Sequence, residues 1–132
     1  VKCKTTIMTD REKIIKNYIN GYNQFNIDKM VADFDENVVF ENIQNDEINM
    51  SLKGRTAFEQ QAEQAKTYFS ERTEIIKSFN HIDDRCEIEI AYNAILAMDF
   101  PNGLKKGQEL NLIGKSVFEF ENDKIIKLTD IS

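Results

Sequence analysis

Beginning at Ile14, apolar residues recur at three- and four-residue intervals through Ile15, Tyr18, Ile19 and Tyr22. That spacing lays a single apolar stripe along a helix, with polar residues on the opposite side. Thr9 and Glu12 stand three apart just ahead of it, the capping-box arrangement in which hydroxyl and carboxylate each satisfy a backbone N–H. A first helix is therefore expected over residues 10–24. Asn26 can cap a short second helix over 27–34 that turns Ile27, Met30, Val31 and Phe34 inward. A strand follows over 36–43, reading ENVVFENI, and then a polar loop over 44–51. Gly54 suits a turn. Thr56 and Glu59 repeat the capping-box spacing ahead of a third helical stripe, Phe58, Ala62, Ala65 and Phe69.

From residue 73 onward the apolar period changes from about 3.6 to 2. Residues 73–82 read as one strand, Asp83-Asp84-Arg85 as a turn and residues 86–100 as a long second strand. In that strand Ile88, Ile90, Tyr92, Ala94, Leu96 and Met98 share one face, and Glu87, Glu89, Ala91, Asn93, Ile95, Ala97 and Asp99 the other. Pro101-Asn102-Gly103 breaks the run. Residues 109–120 and 124–132 form two further strands joined by a hairpin at Glu121-Asn122-Asp123. Helices followed by an antiparallel meander imply an α+β architecture, with the helices on one face of a curved sheet. The other face, of mixed polarity with Ala91, Ile95, Ala97, Ile113 and Val117, is a candidate contact between subunits.

Composition narrows the function classes. At 132 residues the chain is expected to form one domain over 9–132 behind a short N-terminal tail, 1–8. A net charge of -6 provides no broad basic field, so nucleic acid is not an expected partner. No apolar run reaches the roughly 18 residues of a membrane span. The start VKCKTTIMTD has no apolar core of about 7–15 residues of the signal-peptide kind. Two cysteines, Cys3 and Cys86, without a CxxC pattern read as free thiols and fit a reducing, cytoplasmic setting. With a single histidine, His81, beside a turn and expected to be solvated, no multi-histidine metal site is expected; no metal or other cofactor is implied.

The stretch NYINGYNQFNIDKMVADFDENVVFENI, the LKGRTAFEQ start of the third helix and the terminal FEFENDKIIKLTDIS together resemble the nuclear transport factor 2-like superfamily, in its SnoaL-like and ketosteroid-isomerase-like branch. The resemblance covers about Thr9 to Ser132. It implies a cone-shaped, cystatin-like fold in which three N-terminal helices close over a strongly bent, mainly antiparallel sheet and leave a pocket between them. It also implies homodimerisation through the outer sheet face. Members include isomerases, cyclases, epoxide hydrolases and dehydratases acting on hydrophobic small molecules, and proteins that bind without catalysis, so fold does not choose the activity.

In the ketosteroid isomerases a tyrosine of the first helix donates to the developing enolate oxygen and a carboxylate after the first strand shuttles the proton; that enzyme is a standard illustration of tuned acidity. An ungapped match places Tyr18 at the tyrosine and Asn42, not Glu41, at the proton shuttle. An amide cannot accept and return a proton near neutral pH. A shift of one residue would restore Glu41 but would turn Val38 and Phe40 outward. Strand alternation makes Phe40 and Asn42 the inward pair. Asp130 shares a face with Ile126 and Leu128 on the last strand, where apolar neighbours would raise its pKa and make it a candidate acid or base. The candidate catalytic residues are thus Asp130, Tyr18 and Glu41. Candidate pocket residues are Tyr18, Tyr22, Phe40, Asn42, Phe69, Tyr92, Met98, Phe118 and Asp130. The expected function is binding of a small, largely apolar molecule. The alternatives are an isomerase or cyclase moving a proton next to a carbonyl, and a dimeric protein-interaction module without catalysis.

Overall fold

The computed structural model describes residues 8–132. Cys3 and nearly all of the expected tail lie outside that range. Helix α1 spans Asp10–Asn23, with both arms of the capping box formed between Thr9 and Glu12. Its side chains Ile15, Tyr18 and Ile19 are buried, as the stripe requires. Helix α2 is shorter than expected, Ile27–Val31, capped by the Asn26 side chain on the Lys29 N–H. Phe34 opens strand β1, Phe34–Gln44, and is buried there instead of at a helix end.

The expected loop over 44–51 is a strand. Asn45 and Asp46 both take left-handed backbone (φ 54° and 64°) in a two-residue hairpin, and β2 runs Glu47–Lys53 against β1. Positive φ at both central positions matches the right-handed twist of the flanking strands. Helix α3 runs Arg55–Ala65 with Gly54 as its cap (φ 91°), so Thr56 lies inside the first turn and its expected capping box does not form. A short 3-10 turn, Lys66–Tyr68, leads into β3, Phe69–Ile82, which begins four residues before the expected start. Strands β4, Arg85–Leu96, β5, Glu109–Glu121, and β6, Lys124–Ile131, complete the meander.

The six strands lie in the order β2-β1-β6-β5-β4-β3, with β1 and β6 parallel and every other pair antiparallel. The three helices pack on one face, so the α+β expectation with a curved sheet holds. Register shifts in four of the five strand pairings, including Asn42/Ile43 and Ile76/Ser78, supply local bends. Another shift at Glu119/Phe120 changes which β6 residues face inward. Ile125 joins the core in place of the expected Ile126, while Leu128 points inward as alternation predicts. The core beneath the helices is aromatic. Tyr18 stacks on Phe34 (centroids 5.7 Å, 19°) and meets Phe118 edge-on, and Phe58 contacts both Phe34 and Phe40. Such offset and edge contacts add about 0.5–1.5 kcal/mol each beyond burial. His81 is exposed, as expected, and also pairs with Glu12, tying the far end of β3 to the start of α1.

Candidate functional site

Strand pairing brings the polar residues of the inner face into two rows. Asn42 is the cross-strand neighbour of Asp130, which neighbours Ser116 in turn, so β1, β6 and β5 each give one polar side chain to the first row. The second row joins Glu74 of β3 and Tyr92 of β4, with the apolar Leu112 of β5 next to Tyr92. Above them the helices leave two adjoining chambers. The first, about 200 Å³, lies under α1 and α3 and is walled mainly by apolar groups, among them Met30, Phe40, Met50, Leu52 and Phe58, with Tyr18 and Arg72. The second, about 180 Å³, opens past Tyr92, Gly114 and Ser132 and contains Glu74. Tyr22, Asn42 and Asp130 line both chambers and form the partition between them.

Asp130 accepts a 2.6 Å hydrogen bond from Ser116 Oγ. Burial disfavours its charge and lifts its pKa to about 6, against the opposing pull of the Ser116 bond. Glu74 is raised further, to about 8, first by burial and then by the Asp130 charge, with the Arg72 cation working the other way. Near neutral pH, therefore, Asp130 is largely ionised and Glu74 largely protonated. The phenols of Tyr18 and Tyr22 are pushed well above 10, chiefly by burial, and that of Tyr92 is raised for the same reason. All three are neutral hydrogen-bond donors, and Tyr22 already donates to the Tyr92 oxygen at 3.2 Å.

Local sequence explains how β3 is held. The last turn of α1 has no basic residue of its own. Arg72 supplies a cation there, donating from Nε to the Tyr22 carbonyl at 2.9 Å, a favourable charge for a helix C-terminus. Two residues further along, Asn23 clamps the Glu74 backbone reciprocally, donating to its carbonyl (3.0 Å) and accepting from its N–H (2.7 Å). The guanidinium of Arg72 lies between the rings of Tyr22 (3.8 Å) and Phe25 (4.4 Å), a cation–π sandwich. Phe25 reaches it from a left-handed backbone (φ 56°), a costly conformation for a side chain of that size.

Of the residues expected from sequence, Tyr18, Tyr22, Phe40, Asn42 and Asp130 line the first chamber, and Tyr22, Asn42, Tyr92 and Asp130 the second. Three expectations of position are corrected, those for Met98, Phe118 and Phe69, while the outward placement of Glu41 that alternation predicts holds and takes this catalytic candidate away from the chambers. Glu41 points to the opposite sheet face, where its carboxylate meets Lys127 Nζ at 3.4 Å, because alternation sends it outward when Phe40 and Asn42 go in. Met98 falls beyond the end of β4 and is 42% exposed. Phe118 is fully buried beneath Tyr18, in the core below the chamber. Phe69 stands at the mouth of β3 against Tyr92 (6.3 Å) and lines neither chamber. Asn42 faces the chambers with its amide donating to Asn49, the extra residue of the β1–β2 bulge, at 2.7 Å. Sequence reading missed Arg72 and Glu74. Their signal was the charged pair Arg72-Thr73-Glu74, two apart on one strand face, which a strand beginning at residue 73 divides.

No protein-family model matches the sequence, and no curated protein does. Solved structures share the fold. A candidate polyketide cyclase from Xanthomonas campestris pv. campestris superposes with a TM-score of 0.77 at 17% identity, over 93% of this chain and 90% of that one. IdmH from Streptomyces antibioticus, also a candidate polyketide cyclase, gives 0.77 at 8% identity, over 93% and 91%. A protein with a ketosteroid isomerase-like fold from Catenulispora acidiphila, solved with trimethylamine, gives 0.73 at 11%, over 89% and 83%. The chain thus has the fold of the nuclear transport factor 2-like superfamily. Among the described residues, no helix is long and apolar enough to cross a membrane.

Proposed function

We propose that the protein is an acid–base enzyme that relocates a proton on a small, largely apolar molecule held between its helices and sheet. One observation carries this reading: two carboxyl groups, Asp130 and Glu74, line one chamber with pKa values of about 6 and about 8. Carboxyls whose surroundings drive their acidities apart mark a base and an acid. Asp130, ionised, takes a proton from a carbon next to a carbonyl. Electron density moves to the carbonyl oxygen, where the neutral phenol of Tyr18 donates to the developing charge. Glu74 delivers its own proton at the second carbon, so the substrate leaves isomerised with no net gain or loss. The two carboxyls then exchange protons with water to reset. Asn42, at the partition, orients the polar end of the substrate. Binding of a small apolar molecule, expected from sequence, becomes the first step of this cycle, and the second carboxyl favours turnover over binding alone.

The test is deuterium exchange in heavy water into cyclohex-2-enone and into 4-oxocyclohex-2-ene-1-carboxylate, which adds a ring carboxylate, followed by NMR. Asp130→Asn and Glu74→Gln are each expected to slow enzyme-dependent exchange by about 10²–10⁴-fold, the range of positioned acid–base groups. Wild-type exchange no faster than buffer, or unchanged rates in both variants, would overturn the proposal.

We further propose that two copies pair through the outer sheet face. Ile75, Ala91 and Ile113 are cross-strand neighbours there, and Ile75 and Ile113 are 54% and 78% exposed. Apolar rows of this kind favour a partner surface. Sedimentation equilibrium should return twice the 15.4 kDa chain mass, and Ile113→Lys should return a monomer. A monomeric wild type refutes the pairing. A reducing cytoplasmic setting fits the buried free thiol of Cys86.

A further inference from the structure

Arg72 is 4% exposed, and its Nη2 is buried without a hydrogen-bond partner among the described residues. Arginine keeps its proton at any accessible pH, so this is a permanent cation held away from water. The charge is only partly offset. The rings of Tyr22 and Phe25 cover the guanidinium faces and the Tyr22 carbonyl takes Nε, but no carboxylate forms an ion pair with it among the described residues. Removing a charge from water without a counter-charge or a full set of hydrogen bonds is costly. The stack and the Nε bond also hold the plane of the fork, and Arg72 lines the first chamber. A planar, two-oxygen anion matches that fork in shape and charge.

We infer that the first chamber takes a small carboxylic acid, its carboxylate on the Arg72 guanidinium and its apolar body against Met50, Leu52 and Phe58. Resting on the acid–base reading above, this places the reacting carbons of the substrate toward Asp130 at the partition and makes Arg72 the residue that selects acids over their neutral analogues. The volume of about 200 Å³ lies below the roughly 300–1,000 Å³ of drug-sized sites, so a single ring with one carboxylate is the right scale.

Benzoate and benzamide, nearly equal in shape, separate charge from size. Calorimetric titration of the wild-type protein at pH 7.5 is expected to give at least about tenfold tighter binding for benzoate, the scale of one charge-assisted hydrogen bond. Arg72→Lys keeps the charge and loses the fork, and should cut the benzoate preference to under about threefold. If that variant loses its fold by near-UV circular dichroism, the wild-type comparison decides alone. Equal affinities, tighter benzamide, or no benzoate binding at millimolar concentration would overturn the inference. Asp130→Asn should keep or strengthen benzoate binding, since it removes a like charge. The two proposals fail separately. Exchange catalysis that persists without benzoate selectivity refutes the acid site alone, whereas selective benzoate binding with exchange untouched by Asp130→Asn and Glu74→Gln refutes the acid–base role alone.

Discussion

Replacing Asp130 with Asn should make the protein more stable at pH 8 while leaving it nearly unchanged at pH 4. The folded state raises this carboxyl from 3.8 to about 6, so it holds the proton more tightly than the unfolded chain does. Folding is therefore favoured while the group is protonated in both states, and is penalised as pH rises from 3.8 through about 6. Each unit is worth about 1.36 kcal/mol, which puts the full penalty near 3 kcal/mol above pH 7. Asp130 lines both chambers and is only partly buried by accessible surface, so its charge keeps some hydration and the observed change should fall at about 1–3 kcal/mol. The amide oxygen can still accept the Ser116 hydroxyl, so the substitution removes the charge and keeps the bond. A second effect follows, because the Asp130 charge helps to raise Glu74. Its midpoint should drop below about 8 in the variant. Urea titrations of both proteins from pH 4 to 8.5, with ¹³C NMR of the Glu74 carboxyl, supply both readings. A variant no more stable than wild type at pH 8, or a stability difference that does not change with pH, would refute this account of a desolvated carboxylate.

Three other outcomes follow from the same structure. Ser116→Ala removes the one hydrogen bond that lowers the Asp130 pKa, so the Asp130 midpoint should rise above about 6 by NMR titration. Gly21→Ala should destabilise despite the better helix propensity of alanine, because the added Cβ would lie 2.8 Å from the Met30 backbone nitrogen and 3.1 Å from the Asn26 carbonyl; overpacking of that kind costs about 1–3 kcal/mol in denaturant unfolding. Glu41→Gln breaks only a partly exposed pair with Lys127 and should change stability by less than about 1 kcal/mol and leave deuterium exchange intact, whereas lost exchange would return Glu41 to the chemistry.

The inner face of the sheet was legible where alternation ran without interruption. In ENVVFENI the order of apolar residues makes Phe40 and Asn42 inward partners, and their pairing with Leu128 and Asp130 on β6 gives both strands the same inner face. Legibility stopped at the register shifts. The one at Glu119/Phe120 puts Ile125 in the core where a strict period of 2 selects Ile126, and a local sequence carries no marker of where a strand slips. β2 was hidden for another reason. Its burial pattern is mostly exposed, as an edge strand's is, and its Asn45-Asp46 turn lacks the glycine that usually announces a two-residue hairpin. Arg72 and Glu74 escaped because charged residues at the start of a strand are usually solvated. Only packing against the end of α1, about fifty residues earlier, makes them interior groups.

The position of β6 bears on how the molecule is made. It alone joins the β1–β2 hairpin to the β5-β4-β3 meander, and its parallel partner β1 is some eighty residues upstream. Pairing over that separation closes a long loop before any contact repays it, which slows folding relative to a fold built from near neighbours. During synthesis the hairpin and the meander can each form early, yet the sheet stays in two pieces until the strand carrying Asp130 clears the ribosome. Assembly of the scaffold and arrival of Asp130 are then one event, so a chain halted before β6 would have exposed strand edges and chambers without their shared partition.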